Sequence, residues 1–227
     1  MKFQDFEYIM SAPRMNRYLM ACSGNSKKAM ILYRFNLRAS QEFFTVISCF
    51  EVSLPNAIDR HYSNQFGNDW LRNAAVTGGV FDAHTCRFTK NLINQNVANL
   101  SHHYMHQKLI AEMDFGFWRY LFAQPQFRAA GQTLLRVFPA KPRSTPYIQY
   151  NQAFVFNQLG HINKIRNRIA HHEPICFLSN HSTKDTTYMR QHYAHILQLF
   201  NWMTIDEAAL LYGLDHINTV CNQIDRL

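Results

Sequence analysis

One run concentrates the reactive side chains of this 227-residue sequence: Lys164-Ile165-Arg166-Asn167-Arg168-Ile169-Ala170-His171-His172-Glu173-Pro174. It sets two arginines, an asparagine and two histidines side by side. Cleaving RNA through its own 2′-hydroxyl needs one group to take that proton and a second to protonate the leaving 5′-oxygen. It also needs a cation on the crowded phosphate. Imidazole titrates near neutrality and suits both proton transfers. Guanidinium keeps its charge, and its planar fork matches phosphate oxygens. Such chemistry needs no metal, and no cofactor is expected.

Along a helix, residues 166 and 171 stand about 7.5 Å apart and roughly 140° apart around the axis. A straight helix points them in different directions, so the helix is expected to end or distort near His171. Pro174 gives a reason, because the residue before a proline avoids the α region. His172 competes with His171 for the acid/base role. The same residues also describe an ordinary helix end whose cations complement the dipole, and spacing alone leaves both readings open.

The helix carrying the run is predicted from about Pro146 to His172. Val155, Leu159, Ile162, Ile165 and Ile169 form its apolar stripe. PAKPRSTP (139–146) is the clearest linker and a candidate lobe boundary. Upstream, SAPRMNRYLMAC gives the first helix signal, with Ser11 to cap it, Pro13 in its first turn and Gly24 to end it. A second helix starts near Ser26. A long one follows over 39–66, with Phe43, Val46, Ile47, Phe50, Leu54 and Ile58 in phase, a kink at Pro55 and a stop at Gly67. Residues 67–81 read as a loop with one short turn. Asp82 is a candidate cap for a helix over 83–100, and further helices are expected through HHYMHQKLIAEM, FGFWRYLFAQ and 126–138. A loop at 175–183, a helix near 185–203 and two short helices complete the chain. The segment after the linker is too apolar to stand alone, so the expectation is one all-α domain.

Composition agrees. Apolar residues make up 47% and charged residues 17%, with only 8 glycines and 7 prolines, which favours globular, helical structure. A net charge of +8 and a pI near 9.4 point to a polyanion such as RNA, DNA or anionic lipid. Five scattered cysteines without C-x-x-C read as reduced thiols in a cytoplasm. No signal peptide and no membrane-spanning stretch are expected, and no membrane partner. His102 and His106 have a zinc-compatible spacing but lack a third ligand, and a polar helix face is the simpler reading. His171, His172 and Cys176 fit no zinc pattern. The aromatics of FGFWRYLF can stack on bases or fill the core. Lys141 and Arg143 of the linker touch phosphate or sit in a solvated loop. No P-loop, G-x-S-x-G or dinucleotide fingerprint is present.

RNRIAHH resembles the R-x(4–6)-H signature of HEPN ribonucleases. FNLRASQEFFTVISCFEVSLPNAI, AEMDFGFWRYLF and RNRIAHHEPI, in this order, resemble the Abi-like (abortive infection) branch of that superfamily. The resemblance spans nearly all of 1–227. It implies a HEPN-type helical bundle with additional helices, and a metal-independent endoribonuclease that acts as a toxin or abortive-infection effector in phage defence. It also implies a homodimer, RNA as substrate, and control by a protein or non-coding RNA antitoxin. Carried over, Arg166 would hold the scissile phosphate, His171 would be the acid/base with His172 as rival, and Asn167 would orient groups nearby. Lys164 and Arg168 would add RNA contacts. The chain departs from the family's E-x-x-L-R-N pattern at Glu51-Val52-Ser53-Leu54-Pro55-Asn56, where proline replaces arginine. That removes a second basic contact. Glu51 and Asn56 are expected to line the pocket, with Glu51 pairing to Arg166; a plain surface carboxylate is the equal alternative. One motif per chain supplies one Arg/His pair, so a two-fold dimer would bring two of each into one cleft. The competing readings are a non-catalytic RNA-binding or regulatory module bound to a structured or antitoxin RNA, and a subunit that only dimerises.

Overall fold

Few breakers and long apolar-periodic stretches make helices throughout. The structure, a computed structural model, describes residues 1–227 and contains twelve α-helices. They are α1 (Phe3–Met10), α2 (Ala12–Ala21), α3 (Ser26–Phe66), α4 (Trp70–Ala74), α5 (Arg87–Leu100), α6 (His106–Glu112), α7 (Phe115–Tyr120), α8 (Gln124–Ala129), α9 (Gln152–Ala170), α10 (Thr187–Trp202), α11 (Glu207–Leu210) and α12 (Ile217–Arg226). Extended pairing is limited to one bridge, Phe177 with Lys184. The fold is all-α, as the sequence predicts. No helix is long and apolar enough to cross a membrane.

The chain divides into two compact units. The first comprises Met1–Ser48, Lys164–Gln198 and Asp206–Leu227; the second comprises Cys49–Asn163 and Leu199–Ile205. Three of the divisions fall inside α3, α9 and α10. The proline-rich segment 139–146, the candidate lobe boundary, lies wholly inside the second unit. It is tied down there, with Ala140 N–H donating to Trp202 O at 3.0 Å and Tyr150 N–H to Ser144 Oγ at 3.0 Å.

In the first unit, a chain of edge-on rings links Phe6 to Tyr33, Tyr33 to Tyr18 and Tyr18 to Phe177, with centroids 5.4, 5.1 and 4.9 Å apart. Phe6 anchors α1, a helix the sequence reading omits. Its Tyr8 and Ile9 are exposed, so its apolar residues do not trace one face. The two helices expected after Ser26 are one, α3, capped by Asn25 Oδ1 accepting from Lys28 N–H at 3.0 Å. It runs on through Pro55, which has no backbone N–H to give to the helix. Gly67, at φ +93°, ends it.

In the second unit, Asp82 caps no helix. Its carboxylate accepts from Gly78 N–H at 2.8 Å and pairs with Lys90 at 2.5 Å, and α5 begins only at Arg87. In α7, Phe115, Phe117 and Trp118 are buried while Tyr120 is exposed. The aromatic run is thus mostly core. Asp114 caps this helix through Phe117 N–H at 2.7 Å. Gly160 sits in the middle of α9, where glycine costs about 1 kcal/mol relative to alanine. The space a side chain would fill there holds the Arg119 guanidinium, whose Nη2 lies 3.0 Å from the position of a Cβ.

Candidate functional site

Asn151 starts α9, its Oδ1 accepting from Phe154 N–H at 3.0 Å. The helix therefore begins at Gln152 rather than near Pro146. The predicted stripe holds: Val155, Leu159, Ile162, Ile165 and Ile169 are all buried.

The stop is a hydrogen-bonded motif and not only a proline. Glu173 N–H donates to Arg168 O at 2.8 Å and His172 N–H to Ile169 O at 3.0 Å. His172 has φ +55°. This is a Schellman closure with histidine in the left-handed position that glycine usually fills, and Pro174 follows it. His171 N–H still donates to Asn167 O at 2.9 Å, so the backbone remains helical up to His171. The angular separation of roughly 140° from Arg166 persists to that residue. The chain turns only at His172, one residue later than the sequence reading requires.

The side chains divide accordingly. His171 and His172 are exposed, as are Lys164 and Asn167, and Arg166 is half-buried. Arg166 Nη1 reaches Asn167 Oδ1 at 3.5 Å. Arg168, expected to contact RNA, is engaged in the turn itself. It donates to the Pro174 carbonyl, meets Glu173 Oε2 at 3.4 Å and stacks 4.8 Å above the Tyr188 ring. Two more residues pin the turn. Arg14 Nη1 donates to His172 O at 3.0 Å, and buried Asn36 Oδ1 accepts from Ile175 N–H at 2.8 Å. Both were outside the sequence reading, because each lies more than a hundred residues from its partner.

Beyond the turn, Arg17 grips a short hairpin. Its Nε and Nη2 donate to His181 O at 3.1 and 2.6 Å, Nη2 donates to Leu178 O at 3.2 Å, and the guanidinium stacks 4.5 Å from the Phe177 ring. Arg17, Arg168, Glu173 and Pro174 line a groove of about 410 Å³. Cys176 is buried, and burial pushes its thiol up to about 12. His171 and His172 face solvent instead, so these three make no metal cluster.

Glu51 and Asn56 stand in the second unit. They line a groove of about 310 Å³ together with Pro55 and Gln107.

The histidines of HHYMH do not act together. The His102 and His103 rings lie 3.8 Å apart on the surface, whereas His106 turns inward. Its Nε2 lies 2.7 Å from Asp59 Oδ1 and its Nδ1 3.6 Å from Asp69 Oδ1. Trp70 Nε1 also donates to Asp59, at 2.8 Å, and Tyr104 OH donates to Asp69. The signal was present in phase: buried Leu109 and Ile110 follow His106 by three and four residues.

No family model, curated protein or solved structure matches this chain.

Proposed function

We propose that the chain is a metal-independent endoribonuclease of the HEPN type, acting as a toxin or abortive-infection effector in a cytoplasm and held in check by a protein or RNA antitoxin. The observation that carries this reading is the end of α9. Its last turns supply Arg166, Asn167 and exposed His171, and the pinned, left-handed residue that closes the helix presents His172 to solvent.

The chemistry needs no more than these groups. The 2′-oxygen attacks phosphorus as an imidazole takes its proton, and the bond to the 5′-oxygen breaks as an imidazolium returns one. Arg166 stabilises the charge building on the phosphate. A helix C-terminus is a poor place for an anion, and Lys164 and Arg166 offset that end's negative potential. Arg168 acts as a strut for the turn. The separation that persists from Arg166 to His171 favours a homodimer, in which Arg166 of one copy works with a histidine of a second.

RNA cleavage with EDTA present tests the reading. His171→Ala, His172→Ala and Arg166→Ala are each compared with the wild type. Loss of the acid/base residue is expected to cost roughly 10²- to 10⁴-fold. Cleavage that persists in both histidine variants overturns the assignment. Tight RNA binding by the wild type without cleavage favours a regulatory RNA-binding module. Mixed dimers of Arg166→Ala and His171→Ala subunits are expected to retain partial activity only where the two copies share a cleft.

A further inference from the structure

A second cationic feature lies in the second unit. The Arg119 guanidinium sits 3.9 Å from the Phe156 ring, and its Nε donates to Phe156 O at 3.1 Å. No aspartate or glutamate pairs with it, and burial lowers its pKa. A guanidinium carries five donors, so this one keeps capacity for an anion. A half-buried cation without a counter-charge is costly to hold. The chain nevertheless makes room for it by placing glycine at 160, where a Cβ would crowd Arg119 Nη2, Cζ and Nε at 3.0–3.3 Å.

The neighbouring residue supplies the other half of a recognition surface. Tyr120 is 53% exposed and meets Phe156 edge-on at 5.8 Å. It also walls an apolar groove of about 280 Å³ with Phe88, Leu92 and Phe117. Phe88 is 79% exposed and carries the Arg87 guanidinium 5.4 Å from its ring centroid, so the two rings offer aromatic surface beside cationic groups on a chain of net charge +8. Unpaired bases stack on aromatic side chains while arginine takes the backbone phosphate. We propose that Arg119, Phe156 and Tyr120 bind one nucleotide of single-stranded RNA, with the phosphodiester on Arg119 and the base on Tyr120 in the groove beside Phe88. This rests on RNA being the substrate and adds a strand-binding subsite within the second unit.

The test uses full-length protein carrying both His171→Ala and His172→Ala, so that a labelled oligouridylate stays intact during anisotropy titration whichever histidine transfers the proton. Tyr120→Ser is expected to weaken binding about 5- to 160-fold, the range for losing one stacked base. Arg119→Gln is expected to make the slope of log affinity against log salt shallower by about 0.7, one single-strand phosphate. Gly160→Ala keeps every charge and favours the helix, and is expected to weaken binding by displacing the guanidinium. It separates lost recognition from lost folding, which thermal melts check in parallel. Unchanged affinity and salt slope in the variants that stay folded overturn the site. So does Arg119-dependent binding of free uridine monophosphate or inorganic phosphate when the oligomer shows no such dependence. Cleavage that needs Arg166 and a histidine, alongside binding indifferent to Arg119, sinks this subsite alone. Arg119-dependent RNA binding without any cleavage by the wild type sinks the nuclease reading alone.

Discussion

Replacing His172 with glycine separates the stability of the α9 stop from its chemistry. His172 holds φ +55° at the position that closes the helix. A left-handed conformation costs an L side chain about 1–2 kcal/mol, and glycine adopts it freely. The imidazole is exposed, so removing it costs little packing. Glycine gives the unfolded chain more freedom, which offsets about 0.4–1 kcal/mol. The net is a gain of about 0.5–1 kcal/mol. At this chain length each kcal/mol moves Tm by about 2–4 °C, so calorimetry is expected to show a rise of about 1–4 °C. His172→Ala keeps the backbone strain and is expected to show no such rise. The same glycine variant, assayed for RNA cleavage in EDTA, decides between the two histidines. A loss of roughly 10²- to 10⁴-fold assigns the proton transfer to His172, and retained activity assigns it to His171. A lower Tm in His172→Gly would refute the reasoning, because it would mean that the imidazole makes contacts worth more than the strain.

Asn36→Ala leaves the Ile175 N–H buried and unsatisfied, and is expected to lower stability by about 1–3 kcal/mol in urea titration. An unchanged midpoint would show that this bond does not hold the turn. Gly79→Ala would put a Cβ 2.4 Å from Asn73 O and 2.7 Å from Ala74 O, both backbone atoms, and is expected to destabilise by about 1–3 kcal/mol in thermal melts. Burial raises the folded pKa of Cys176 from 9.0 to about 12 and also raises that of Tyr18. Both groups favour the neutral form in the fold, so their contribution is intact below pH 9 and drains away as pH climbs toward 12. Flat stability across that window would contradict it. A thiol reagent at neutral pH is expected to label half-buried Cys22 and Cys49 before Cys86, Cys176 and Cys221; uniform labelling of all five would count against the packing.

The sequence displayed what repeats at helical period. The α9 stripe and the α3 positions Phe43, Val46, Ile47, Phe50, Leu54 and Ile58 are all buried as their spacing predicts. Pro55 lies inside α3, as the apolar spacing on both sides of it predicts. Pro174 marked the end of α9 but not the means, which are the Schellman bonds and the left-handed His172. Arg168 looked like a free cation because sequence does not reveal that Glu173, Pro174 and Tyr188 surround it. His106 looked like a surface residue until its phase with Leu109 and Ile110 was set beside Asp59. Arg14, Asn36 and Arg119 carried no local signal, because their partners are brought to them only by folding.

The Arg17 clamp has a consequence for how this chain can vary. Its guanidinium reads the main-chain oxygens of Leu178 and His181 and not their side chains. The path of the hairpin is therefore held while its lettering is left free. Exposed Leu178, Ser179 and His181 can drift through substitution with little penalty, whereas Asn180, at φ +61°, is restricted to residues such as asparagine and glycine that adopt the left-handed region, and Arg17 has no such latitude. Among related chains, an arginine constant at this place beside a hairpin of changing composition would be the trace of that arrangement.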